Sequence, residues 1–158
     1  MRKFFLMVSS FLLLAGCGAA APVFENRVDA PWGSVGLPEG WIVASQDGYQ
    51  LRLESQLETD TEVNFRHVRM PQDLEGWSKS FIESSGRNLV RSGTITISEK
   101  KFLRYDLTVQ AGKETLGELL VLIPVDGKLL AIDALWKSKS VLGGVPEEIV
   151  QSIILGGK

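Results

Sequence analysis

Cys17 is the only cysteine in the chain and His67 the only histidine. A lone cysteine cannot close an internal disulfide, and a nucleophilic thiolate needs a cationic or imidazole neighbour to lower its pKa. The stretch FLLLAGCGAA around Cys17 offers neither. It does offer a thiol at the end of an export signal. Arg2 and Lys3 form a positive head, Phe4 to Leu14 an apolar segment, and Ala15 and Gly16 the small residues before a cleavage point between Gly16 and Cys17. The apolar segment falls short of the about 20 residues that cross a bilayer, so it reads as a signal and not as a permanent span. Cys17 therefore reads as a site of modification at the head of the mature chain.

His67 shares strand parity with Val63 and Phe65, which turns it toward the core side near the end of its strand. No His-x-His, cysteine cluster or Asp-x-Asp-x-Asp-Gly pattern accompanies it, and no Gly-x-Ser-x-Gly elbow is present, so neither a metal site nor a hydrolase triad is indicated. Leu107 stands where a Walker A loop before Gly112-Lys113 would need glycine. The expectation is a structural or surface histidine, no cofactor and no metal. Asp133 is the odd residue in LLAIDALW, a carboxylate in an otherwise buried strand. Burial raises a carboxylate's pKa unless arginine or backbone donors compensate. Such groups gather at functional sites, though more of them are paired for structure. Among Trp32, Trp41, Trp77 and Trp136, the patterns place the last three in strands or on an apolar helix face and leave Trp32 exposed. Asp133, His67 and Trp32 are thus the weak candidates for a ligand site.

The formal charge is −2 in 158 residues, and removal of Arg2 and Lys3 with the signal makes the chain more acidic. Arg66, Arg69, Arg87, Arg91 and Arg104 are dispersed among acids and read as solvated charges. Nucleic-acid binders concentrate such residues, so no nucleic-acid partner is expected.

The elements that must position these residues begin near Gly33. The stretches VGLPEGWIV and QDGYQLRLE read as strands joined by a tight turn, and EVNFRHVRM continues the alternation until Pro71. In QDLEGWSKSFIESSGR, Leu74, Trp77, Phe81 and Ile82 fall at helical spacing, with Asp73 as N-cap and Gly86 as stop. GTITISE, KFLRYDLTVQ, ETLGELLVLIPV and KLLAIDALW follow as strands. The apolar run Leu119 to Ile123 and its partner across Asp126-Gly127 belong in the middle of a sheet covered on both faces. The closing VPEEIVQSIILGG reads as a helix with Pro146 at its start, Ile149, Val150, Ile153 and Ile154 on its apolar face, and Gly156 as stop. The expected fold class is α+β, a mostly antiparallel sheet covered by helices. The expected organisation is a signal over 1–16, a lipidated tether over 17–32 and one domain over 33–158. A tether of about fifteen residues reaches at most about 50 Å.

Two resemblances sharpen this. Leu14-Ala15-Gly16-Cys17 resembles the lipobox of bacterial lipoproteins, in which the thiol is diacylglyceryl-modified, the signal is cut before it, and the new N-terminus is often acylated again. That implies a palmitate-bearing protein held to a membrane of the cell envelope, since two or three acyl chains anchor stably where one does not. Gly18 in place of Asp after the cysteine implies the periplasmic face of the outer membrane where the organism has one, and otherwise the outer face of the cytoplasmic membrane. The order of elements over about residues 33 to 155, with VGLPEGWIV, the Asp-Gly hairpin, the helix after a proline, LLVLIPVDGKLLAIDA and a closing amphipathic helix, resembles the PsbP-like/Mog1-like superfamily. Its members are α/β/α sandwiches that mostly bind proteins, and they include envelope lipoproteins of the DcrB type. The resemblance implies a non-enzymatic accessory or assembly module with an envelope protein as partner. A small-ligand-binding lipoprotein, using a cleft between sheet and helix, is the other reading that the residues leave open.

Overall fold

The computed structural model describes residues 21–137 and 144–156. In chain order, β1 (Asn26–Ala30) and β2 (Gly33–Leu37) form a hairpin. A first meander follows: β3 (Trp41–Gln46), β4 (Gln50–Ser55) and β5 (Glu62–Arg69). Helix α1 (Leu74–Ser84) leads to a second, longer one: β6 (Asn88–Ile97), β7 (Lys100–Ala111), β8 (Glu114–Val125) and β9 (Lys128–Lys137). The described chain closes with α2 (Val145–Gln151) and the two-residue strand β10 (Ile154–Leu155). β9 pairs with β5 as well as β8, which joins the meanders into one antiparallel seven-stranded sheet in the order β3-β4-β5-β9-β8-β7-β6. β1, β2 and β10 form a separate three-stranded sheet.

Because successive strand residues face opposite sides, the apolar run of β8 feeds two cores. Leu119, Val121 and Ile123 turn toward α2 and the small sheet, where they meet Phe65, Ile132, Ile149 and Val150. Leu120 and Leu122 turn the other way and pack with Leu129, Ala131 and Ile82 beneath α1. The α+β class expected from the sequence is what the chain forms, with a helix on each face of the large sheet.

Local chemistry sets the boundaries. Asp73 caps α1 by accepting the Gly76 N–H at 3.0 Å, and Gly86 leaves the helix at φ +69°, a conformation open to glycine. Asp126 and Gly127 both have positive φ, the type I′ geometry that a two-residue hairpin needs. The other Asp-Gly, at 47-48, builds a wider loop in which Asp47 Oδ1 accepts from the N–H groups of Tyr49 and Gln50.

Two expectations are corrected. The closing helix does not run through Ile154. It ends at Ser152, whose hydroxyl donates to the Ile149 carbonyl at 2.7 Å and accepts the Gly36 N–H at 2.9 Å, and the chain then enters β10 against β2. Nor are residues 17–32 a tether throughout, since β1 occupies Asn26–Ala30 and Val28 and Ala30 pack against the core. Cys17, Gly16 and the signal lie outside the described residues.

Candidate functional site

The residues singled out in the sequence do not converge. Trp32, expected at the surface, is 3% exposed and stacks on Phe65 with ring centroids 5.1 Å apart. The turn between β1 and β2 folds it into the core because the small sheet closes over the α2 side. His67 sits on that same side of β5, opposite Leu130, and its Nε2 is buried without a hydrogen-bond partner. Burial pulls its pKa down, Lys128 pulls it down further, and Asp126 opposes both. The imidazole stands at a strand end, opposite Leu130 and within the influence of Lys128 and Asp126. Among the described residues no group of three His, Cys, Asp or Glu side chains is arranged to hold a metal ion.

Asp133 faces the α1 side of the sheet. It lies opposite Asn64 on β5 and Leu120 on β8, and is 3% exposed. Arg66 reaches over from β5 and pairs with Oδ2. The other oxygen, Oδ1, is buried with no donor against it. One step along β8 from Leu120 on the same face is Glu118, fully buried, and close enough to Asp133 for the two carboxyl groups to share a hydrogen bond. Arg87, just past the end of α1, donates from Nε to both oxygens of Glu118 at 2.7 Å. Its guanidinium also lies 5.0 Å from the centre of the Phe81 ring, which stacks on Trp77.

The site is therefore two buried carboxyls side by side, each held by one arginine, at the margin of α1. Burial pushes the Glu118 carboxyl above its ordinary range; the Arg87 hydrogen bond and charge pull it back, and Asp133 pushes it up again. The expectation that the arginines are solvated charges is corrected for Arg87 and for Arg104. These side chains are 18% and 17% exposed, and Arg104 ties β7 to α2 through Glu147 at 2.5 and 3.0 Å. An arginine so placed loses much of its water, and its charge is tolerated because an acid stands opposite.

Glu118 was not among the sequence candidates, although two signals pointed to it. It shares parity with Leu120 and Leu122, and the two-residue turn at Asp126-Gly127 sets Leu120 opposite Asp133, which brings Glu118 diagonal to that residue.

A separate concavity of about 880 Å³ lies between α1 and the strands β6 and β7. Arg87 closes one end, Ser92, Thr94, Leu103 and Tyr105 form its floor, and Glu75, Lys79 and Glu83 stand on its helical wall. Asp133, His67 and the tryptophans do not line it.

No protein-family model matches the sequence, and no curated protein does. Solved structures do. The solution structure of cyanobacterial PsbP (CyanoP) from Synechocystis sp. PCC 6803 matches with a TM-score of 0.62 over 90% of this chain and 99% of that one, at 14% identity. The chain has a PsbP-like fold. A crystal structure from Bacteroides thetaiotaomicron VPI-5482 is similar at a TM-score of 0.60 and 7% identity, over 84% of this chain and 48% of the other. At such identities the likeness is one of fold, and no residue role passes from either protein. Within the PsbP-like fold, the Glu118–Asp133 pair is read from its own geometry: charges that are buried and neutralised in place. No helix among the described residues is long and apolar enough to cross a membrane.

Proposed function

We propose that the protein is a lipid-anchored accessory protein of a bacterial cell envelope, and that its PsbP-like domain docks a protein partner and catalyses no reaction. One observation carries the docking role. The buried acids are paired with Arg66 and Arg87, whereas the outer strand β6 leaves Leu89, which lines the concavity beneath α1, 54% exposed, and Val90, the next residue along the strand, 66% exposed. Apolar surface presented on an open sheet edge is what a docking module offers and a catalytic cleft does not need. The anchor rests on Leu14-Ala15-Gly16-Cys17, whose thiol would hold the domain within a short reach of the membrane.

The anchor is tested by metabolic labelling with palmitate and by fractionation. The wild-type protein takes label and stays with membranes; Cys17→Ser takes none and is released. A Cys17→Ser protein that remains membrane-bound, with the wild type unlabelled, contradicts the reading.

A further inference from the structure

Among the described residues β6 ends the seven-stranded sheet with β7 as its one strand neighbour, so the backbone groups along its outer side have no strand partner there. Residues 88–94 of this strand are all exposed. The opposite edge, β3, also shows apolar side chains, Ile42 and Val43, and at its end Gln46 Nε2 donates to the Asp29 carbonyl of β1 at 2.7 Å. β6 combines its open edge with an adjoining trough, the concavity beneath α1.

The charge of that trough selects its occupant. Asp73, Glu75, Lys79 and Glu83 are exposed along the α1 wall. Lys79 stands one helical turn from each glutamate, so the wall carries an excess of negative charge. Arg87 offsets none of this, because its guanidinium is bound to Glu118. A second copy of this chain, paired edge to edge through β6, would bring two acidic walls together across the two-fold axis, and like charges so placed cost affinity.

We infer that β6 and the trough take up an extended segment of the partner protein, added as an eighth strand, with Lys or Arg at alternate positions facing α1 and apolar residues between them. Strand addition supplies backbone hydrogen bonds, and the alternating side chains supply the choice of partner. The inference rests on the protein-docking reading and specifies its surface and the chemistry of what docks there.

The test uses the full chain in detergent and a fluorescein-labelled octapeptide alternating valine and lysine, followed by anisotropy, with an alternating valine-glutamate octapeptide as comparison. The valine-lysine peptide binds saturably and at least about tenfold more tightly than the glutamate peptide, the scale that a few rim charges produce. The doubly substituted Leu89→Lys/Val90→Lys protein, altered only at exposed positions, loses that binding. Glu75→Lys/Glu83→Lys reverses the order of the two peptides. N-methylation of alternate peptide nitrogens, which removes the strand hydrogen bonds, weakens binding at least about tenfold in one of the two phases of methylation. Equal binding of the two peptides, no binding of either, or binding unchanged by Leu89→Lys/Val90→Lys overturns the inference. The docking reading survives those results if a photocrosslinker at another exposed site, such as Tyr49, joins the anchored protein to a partner in cells. It fails separately if no surface position does.

Discussion

Replacing Arg87 with methionine keeps much of the side chain's apolar length and removes the charge that faces Glu118. Glu118 is fully buried and Arg87 is 18% exposed at its side chain. Removing one partner of such a pair strands a buried carboxylate, which costs about 3 kcal/mol at neutral pH. For a domain of this size that corresponds to a fall in Tm of roughly 6–12 °C. The cost should be smaller in acid. Burial raises the Glu118 pKa above its ordinary value of 4.5, so the group's own contribution is fully present below about pH 4.5 and declines as pH rises through the folded-state value. A protonated Glu118 no longer needs Arg87 and can donate to Asp133. Glu118→Gln supplies that donor permanently through its amide, and should stay within about 1 kcal/mol of wild type with a flatter pH profile over that window. In the Glu118→Gln background, Arg87→Met should then cost only about 1 kcal/mol, a coupling of about 2 kcal/mol. Urea denaturation followed by tryptophan fluorescence measures all four proteins. Equal costs of Arg87→Met in the two backgrounds would refute the claim that the arginine neutralises a buried acid.

Three further outcomes follow from the geometry. The His67 pKa is lowered by burial and Lys128, so the fold should lose stability as pH falls from about 6.5 through the folded-state value, and His67→Met should remove that slope in urea titrations between pH 5 and 8. Ser98 and Glu99 turn β6 into β7 with φ of +48° and +65°, so Glu99→Gly should raise stability by about 1 kcal/mol in the same assay. Gly33 has φ +142°, and a Cβ there would collide with the Ile154 carbonyl oxygen. Gly33→Ala should therefore detach β10 from β2, which would appear as lost hydrogen-exchange protection of Gly156, whose N–H donates to the Trp32 carbonyl at 3.0 Å.

Where period and turn chemistry act together, the fold is legible in the sequence. Alternation marks Leu51 and Leu53 as buried, helical spacing places Trp77 and Phe81 on one face of α1, and the doubly apolar β8–β9 hairpin sits in the middle of the sheet as its composition requires. The misread parts are those made by contacts distant in sequence. Ile153 and Ile154 continue the helical period of α2, but Ser152 is drawn to Gly36 and Ile154 pairs with Ser34, which no local pattern announces. β1 is short, polar at Asn26, Arg27 and Asp29, and held by β2, so it reads as linker; Trp32 is buried as a result. Asp133 stood out because a single acid interrupts an apolar strand. Glu118 did not, because it lies at the start of the apolar run, where an acid looks like the solvated end of a strand. Arg87 was hidden for a related reason: its burial arises from the approach of α1 to β8, and its neighbours in sequence are polar.

The docking role is tested most directly by a photoreactive residue placed at Leu89 and another at Tyr49, 69% exposed, in the full protein in living cells. We predict that the Leu89 probe forms one discrete protein adduct, that the adduct disappears in Cys17→Ser cells and with Glu75→Lys/Glu83→Lys, and that the Tyr49 probe gives none or much less of it. A Leu89 probe that captures nothing above the Tyr49 background, or an adduct indifferent to both sets of substitutions, would contradict an anchored domain that docks its partner along β6.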